Sequence, residues 1–394
     1  TEDSDFLATT NSDFHPTDVL EDADGSLLVL NTGGWYKLCC PTSQFWRPEV
    51  LGAIYRVKKI GAKPPGDPYG AKLNWPNLST ERLALLLDDE RPALRRRAIA
   101  ALAKRGEAAV RPLSRQLRLG SERARLNAVW SLTRIHGATA RQAVLGALDN
   151  STPSLQQVVA HSAGLHRDAK AVVGLIGLLK NTESPVRRAV AEALGRIGSA
   201  KAVAPLLALA NEPMDRALEH SVTFALIEIA QPDALSLSRL AGQPGALCVA
   251  LVSLDQMEGG NLSAADVLPL LQSGAAALRK TAEWICERHP EWGDALAEHY
   301  TGELRNVKTT AQSQALAARL AKLATAPAIQ AVLARTLGDV SRDMVERMTV
   351  LAAMASAPVN PAPDGWLDAI DSTAGPLQAA AVQTLVSLHL AKPQ

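Results

Sequence analysis

The chain has 394 residues, enough for two or three ordinary domains or for one domain followed by an array. Its 41 Lys and Arg against 40 Asp and Glu leave a net charge of +1, which excludes a global pull toward nucleic acid, an anionic membrane or an acidic substrate. No apolar run approaches the roughly 20 residues that cross a bilayer, the longest being 171–179, so the chain reads as soluble with no transmembrane segment. Thr1 stands where an initiator Met belongs, and no signal-peptide pattern follows it, so an upstream segment is expected to have been removed. Four cysteines, two of them the adjacent Cys39 and Cys40, give neither a disulfide framework nor a zinc or haem spacing. A bond between Cys39 and Cys40 would be strained; burial of either is the alternative.

Nine of the fifteen aromatics fall in the first 75 residues, whereas Ala, Leu and Val dominate afterwards, which marks a change of domain. Residues 17–21 and 26–31 flank a turn at 22–25 and are followed by a β-rich stretch at 52–58, the pattern of a hairpin plus a third strand. Residues 27–30 are apolar at every position, which predicts a sheet covered on both faces, as in a propeller blade. Residues 1–60 are therefore expected either to dock on the following domain or to exchange hydrogen rapidly. A Pro/Gly-rich stretch with Pro64, Pro65 and Pro68 reads as a linker, placed at 61–78.

From residue 79 the sequence repeats itself. At 185–198 a helix is plain: Ser184 suits the N-cap, Pro185 the first helical position and Gly198 the end, with Val186, Val190, Ala193, Leu194 and Ile197 on one face. A shorter helix at 202–210 follows. The register is a polar lead residue, a small or β-branched residue three on, and a small-Leu pair at six and seven. It recurs from Arg95, Arg125, Gln156, Arg187 and Glu219, spaced 30, 31, 31 and 32 residues apart. Weaker copies start at Leu247 and Arg279, an irregular one lies at 312–320, and others start at Glu346 and Gln378, making about ten repeats. The prediction is a mostly α protein, a right-handed α-α superhelical solenoid over 79–394 behind a small N-terminal β-meander at 1–60.

Arg95, Arg125, Arg187 and Arg279 share one register position, and Asp89, Asn150 and Asn181 stand six residues before it. They are expected to form a structural polar ladder tying turns to helices. The first two repeats are locally basic through Arg91, Arg95, Arg96, Arg97, Lys104, Arg105, Arg111, Arg115, Arg118, Arg123, Arg125 and Arg134. Of these, Arg96, Arg97, Arg105, Arg115, Arg118 and Arg123 make the candidate partner surface. Few aromatics accompany them, and Trp130 falls at an expected core position, so a protein partner is favoured over nucleic acid. The histidines at 136, 161, 166, 220, 289 and 299 show no metal-binding spacing and are expected to be isolated; Cys248 and Cys286 fall among core positions. No catalytic set, P-loop or dinucleotide fingerprint is present.

The repeat resembles the short bacterial HEAT-like repeat, of the phycobilisome-lyase type. Residues 13–36, with 40–44 and 49–57, are similar to the last blade of the glucose/sorbosone dehydrogenase-like propellers of large membrane-bound dehydrogenase-like proteins of planctomycetes and verrucomicrobia. There a propeller precedes HEAT repeats and often a c-type haem domain. The resemblance implies an exported or periplasmic parent, a quinoprotein-like sugar or sorbosone dehydrogenase. It places His15, Asp18, Asn31 and Trp35 beside the axial channel, with turn and blade packing as their alternative role. The other blades and any haem motif are missing, so this chain is expected to hold no cofactor and to oxidise nothing. The reading is a non-catalytic scaffold whose partner is another protein or the missing upstream propeller. Polyanion binding through the first two repeats is the alternative, and a lyase-like repeat enzyme ranks last because no nucleophile or acid/base set can be named.

Overall fold

The computed structural model describes residues 4–33, 49–149 and 152–388. Trp35, Cys39, Cys40 and Asn150 lie outside the described residues. The chain divides into two compact units, 1–166 and 167–394.

The first unit begins with an antiparallel sheet in the order β1 (Pro16–Glu21), β2 (Leu27–Asn31), β3 (Ala53–Val57). Val19 pairs with Val29, and Val29 with Tyr55. Arg56 on β3 reaches across the hairpin turn, its Nη1 donating to Asp22 Oδ2 at 2.5 Å and Asp24 Oδ1 at 3.2 Å. Two expectations meet a different outcome. The double cover predicted for the sheet is not supplied among the described residues: Val29 is buried, but Val19 and Leu20 on β1 and Ile54 and Tyr55 on β3 are exposed. The Pro/Gly-rich segment is no free spacer. Tyr69 donates its hydroxyl to Asp22 Oδ1 at 2.5 Å, Arg91 donates to the carbonyls of Gly66 and Asp67, and Trp75 is buried with its indole N–H on the Gly70 carbonyl at 2.8 Å. Gly70 has φ +68 and lies 3.1 Å from the Leu94 side chain, measured from where a Cβ would stand, so both its backbone and its neighbour favour glycine.

Helical pairs follow. In the first unit α1 (Thr80–Leu85), α3 (Glu107–Leu119) and α5 (Ala138–Leu145) lead, and α2 (Pro92–Arg105), α4 (Glu122–Thr133) and α6 (Pro153–Leu165) follow. Leading helices stack on leading helices and following on following, giving two layers with the core between. The second unit repeats the plan with α7 (Val172–Leu178) and α8 (Ser184–Ile197), then α9 (Val203–Leu209) and α10 (Arg216–Ile229). A 3₁₀ turn at Leu237–Leu240 leads α11 (Pro244–Gln256), and the short α12 (Ala264–Val267) leads α13 (Ala276–Arg288). Then come α14 (Gly293–Asn306) with α15 (Thr310–Leu323), α16 (Pro327–Gly338) with α17 (Met344–Ser356), and α18 (Asp364–Asp371) with α19 (Gln378–Ser387).

The repeat register sits on the following helices. Residues three and seven after each lead are buried: Ala98 and Leu102, Ala128 and Leu132, Val159 and Ala163, Val190 and Leu194, Val222 and Leu226, Ala250 and Leu254, Ala282 and Cys286. In α15, α17 and α19 the same burial falls on Leu316 and Leu320, Val350 and Met354, Thr384 and Leu388. The true leads there are Ser313, Arg347 and Ala381, not Gln312, Glu346 and Gln378; counted from Arg279 they are spaced 34 residues apart. The period grows because the leading helices grow, from 7 residues in α9 to 14 in α14 and 12 in α16. One added turn costs about 3.6 residues.

Gly198 ends α8 in the left-handed conformation at φ 74. Ser184 departs from its expected cap role: it lies inside α8, and its hydroxyl donates to the Asp215 carboxylate of the next pair. Asp215 caps α10 by accepting from Leu218 N–H at 2.8 Å. Ser121 and Thr152 make equivalent ties to Asp88 and Glu122 while capping α4 and α6. Ser184→Ala should therefore leave α10 capped and lower the thermal midpoint by no more than about 2 °C. Asp215→Ala, which removes cap and tie together, should lower it further; equal effects in a thermal melt would refute the assignment.

Candidate partner-binding surface

The lead arginines brace each pair. Arg95 Nη1 donates to the carbonyls of Asp89 at 2.8 Å and Glu90 at 2.9 Å, Arg125 Nε to Leu117 at 3.0 Å and Arg279 Nη1 to Ser273 at 2.5 Å. Arg347 Nε does the same to Leu337 at 2.9 Å. Each guanidinium thereby satisfies carbonyls at or just beyond the end of the leading helix, which otherwise lack intrahelical partners. The Asp89 carboxylate meets a different arginine: Arg91 Nε and Nη2 approach it at 2.8 Å each, and this pairing holds the Asp89 carboxyl below its usual range. Arg187 turns to Glu212 at 3.5 Å, and its buried Nε has no hydrogen-bond partner among the described residues. Asn181 accepts the Glu183 N–H at 2.8 Å.

The basic cluster does not form one stripe. Arg97 lies over the Trp75 ring at 4.2 Å, Arg105 donates to the carbonyls of Pro76 and Leu78, Arg123 pairs with Asp88 at 3.1 Å and Arg134 bonds the Trp130 carbonyl. Arg96 and Lys104 are exposed on α2 in the following layer, whereas Arg111, Arg115 and Arg118 are exposed on α3 in the leading layer. An open pocket of about 680 Å³ lies at the starts of α4 and α6, and two acids, Asp88 and Glu122, balance Arg95 and Arg123 in its wall. Burial, then crowding by Arg123, holds Arg95 below the ordinary guanidinium value.

Near the sheet, Asn31 is buried and its Oδ1 accepts the N–H groups of His15 at 2.9 Å and Gly33 at 3.1 Å. Asp18 is exposed and accepts the N–H of its neighbour Val19. These contacts close the hairpin ends.

A row that the sequence reading missed lies five residues after the leads. It holds Trp130 on α4 and His161 on α6 in the first unit, and Phe224 on α10 and Trp284 on α13 in the second. Trp130, expected in the core, is half-buried and meets the His161 ring edge-on at 5.6 Å. Phe224 and Trp284 are 48% and 41% exposed. His220 stacks beside Phe224 at 6.3 Å, and the Arg288 guanidinium lies 4.9 Å from the Trp284 ring centre. The signal was available as a second column of the same register.

His289 is not isolated. Its Nε2 meets Asp255 Oδ1 and its Nδ1 meets Glu291 Oε1, each at 2.5 Å, while the ring stacks on Trp292 at 4.1 Å. Burial opposes the imidazolium, but the two carboxylates outweigh it and raise the His289 pKa above its ordinary value. With both nitrogens engaged by acids, the ring is a structural cation and not a free base. Cys248 and Cys286 are buried, and burial pushes the Cys286 thiol up to about 12.

The family model of HEAT repeats matches residues 80–163 and 142–227. Residues 80–227 are HEAT repeats. The complex of CpcE and CpcF of phycocyanin lyase from Nostoc sp. PCC7120 is 24% identical over 57% of this chain and 93% of that chain, with a TM-score of 0.33. A Kap121p mutant is 10% identical over 78% of this chain and 41% of that chain, with a TM-score of 0.50. Importin beta is 15% identical over 78% of this chain and 45% of that chain, with a TM-score of 0.35. The Kap121p likeness is one of fold. No curated protein matches the chain. No helix among the described residues is long and apolar enough to cross a membrane.

Proposed function

We propose that the chain is a non-catalytic protein-binding scaffold whose HEAT repeats hold a partner on the exposed face of the following helices. The observation that carries this reading is the placement of Phe224 and Trp284, large, rigid and solvent-exposed, at one register position of that face. Aromatic side chains of this kind are the usual anchors of protein interfaces, and single core substitutions never expose them by register. The division of the exposed cations between two layers weighs against a polyanion track. Phe224→Ala with Trp284→Ala should leave the circular dichroism and melting curve unchanged and weaken partner retention at least tenfold in a quantitative pull-down. Retention of the same partners at full strength would sink the proposal.

The finer reading is that the scaffold is the C-terminal part of a larger dehydrogenase-like protein, with further propeller blades lying on the N-terminal sheet. The exposed Val19, Leu20, Ile54 and Tyr55 support it, since a strand set that is apolar on both sides needs covering. A separately expressed propeller of that type should bind the chain and protect amides 16–21 and 53–57 from exchange. Val19→Lys with Ile54→Lys should abolish the complex. Absence of binding to the unsubstituted chain would reject this reading while leaving the scaffold proposal standing.

A further inference from the structure

The exposed face of α17 and α19 carries no charge. α19 contains no charged residue at all. The two charges of α17 are turned inward: Glu346 is buried against Arg342 at 3.1 Å, and Arg347 braces the Leu337 carbonyl. What these helices show to solvent is Val345 and Met348 on α17 and Val382 and Val386 on α19, 39%, 41%, 54% and 83% exposed. Ala352 and Ala379 are exposed beside them and keep the surface low. Earlier in the second unit the equivalent positions are charged, Arg188 and Glu192 on α8 and Lys280 on α13, so the loss of charge is confined to this end.

We propose that this face is a homotypic contact, docking on the same face of a second copy of the chain across a twofold axis. An isologous contact brings each residue against its own kind or a near neighbour, so every charge on it risks facing a like charge. A face stripped of charge escapes that penalty, and it offers nothing for a partner recognised electrostatically to pair with. Valine ridges flanked by alanines also suit helix packing with close axes. Four large side chains on two helices lie at the low end of the ~800 Å² per partner of stable complexes, so the dimer is weak and concentration-dependent.

Sedimentation velocity should show the 41.8 kDa chain approaching twice that mass as its concentration is raised toward about 1 mM. Val382→Lys with Val386→Lys should remain monomeric throughout, with an unchanged melting curve. As a check that does not depend on a destabilising change, Gln383→Cys in a Cys39→Ser, Cys40→Ser background should cross-link copy to copy with a short bismaleimide. A chain that stays monomeric at every concentration overturns the proposal. So does a dimer that survives the two lysines, or one abolished instead by Val19→Lys with Ile54→Lys on the sheet.

Discussion

Trp366→Ala is expected to cost about 4 kcal/mol, the largest single-residue loss in the second unit, because it combines a cavity with an orphaned carbonyl. Trp366 is fully buried on α18, and its indole N–H donates to the Gln330 carbonyl of α16 at 3.1 Å. It joins the leading helices of two consecutive pairs. Since repeat stability is a sum of neighbour interfaces, the damage should stay local. Hydrogen exchange should accelerate across α16 to α19 while α8 to α11 keep their protection. Trp366→Phe, which fills most of the space but lacks the N–H, should fall between the two. Uniform acceleration over the whole unit would contradict nearest-neighbour stacking.

The second large effect concerns His289. Asp255 is buried to 1% side-chain exposure and is neutralised from two sides, by His289 and by Arg288 Nε at 3.2 Å. His289→Ala removes the closer cation and should cost about 2–3 kcal/mol, less than the 3–5 kcal/mol of a fully buried pair because Arg288 remains. The pH dependence follows from the raised pKa of His289. A group whose folded pKa lies above its unfolded value contributes fully below the unfolded value, here 6.5, and loses that contribution as pH rises through the higher folded value. The facing groups are Asp255 on α11, Arg288 on α13 and Glu291 in the turn before α14, and the two carboxylates stay ionised over this range. The melting temperature of the unsubstituted chain should fall as pH climbs above 6.5, and the slope should vanish in His289→Ala. An identical slope in both proteins would place the titration elsewhere.

The helical array was legible because its buried positions recur at three and seven after a lead residue, and short leading helices kept the leads from Arg95 to Glu219 nearly evenly spaced. It blurred after Arg279 because lengthened leading helices shift the lead without altering the following helix, so Glu346 drew attention while Arg347 carried the role. Ser184 looks like a cap next to a proline, yet a neighbouring carboxylate outcompetes the backbone for its hydroxyl. The His289 cluster joins residues 34 apart, one repeat away, which side-chain type alone does not announce. The basic residues of the first repeats were visible as a list, but half of them are tied to carbonyls or a ring, and only packing reveals that. The sheet was legible as strands, and its missing cover was not, because that depends on what lies against it.

The arginine brace also bears on how such an array can change over time. It runs from the first turn of a following helix to whatever carbonyl ends the helix before it, six residues back for Arg95 and ten for Arg347. Nothing in that contact measures how long the preceding helix is. Insertions or deletions of about one turn in a leading helix therefore leave the brace closed and the next exposed row in line. Sequence length can drift on one layer while the other keeps its spacing for whatever binds there.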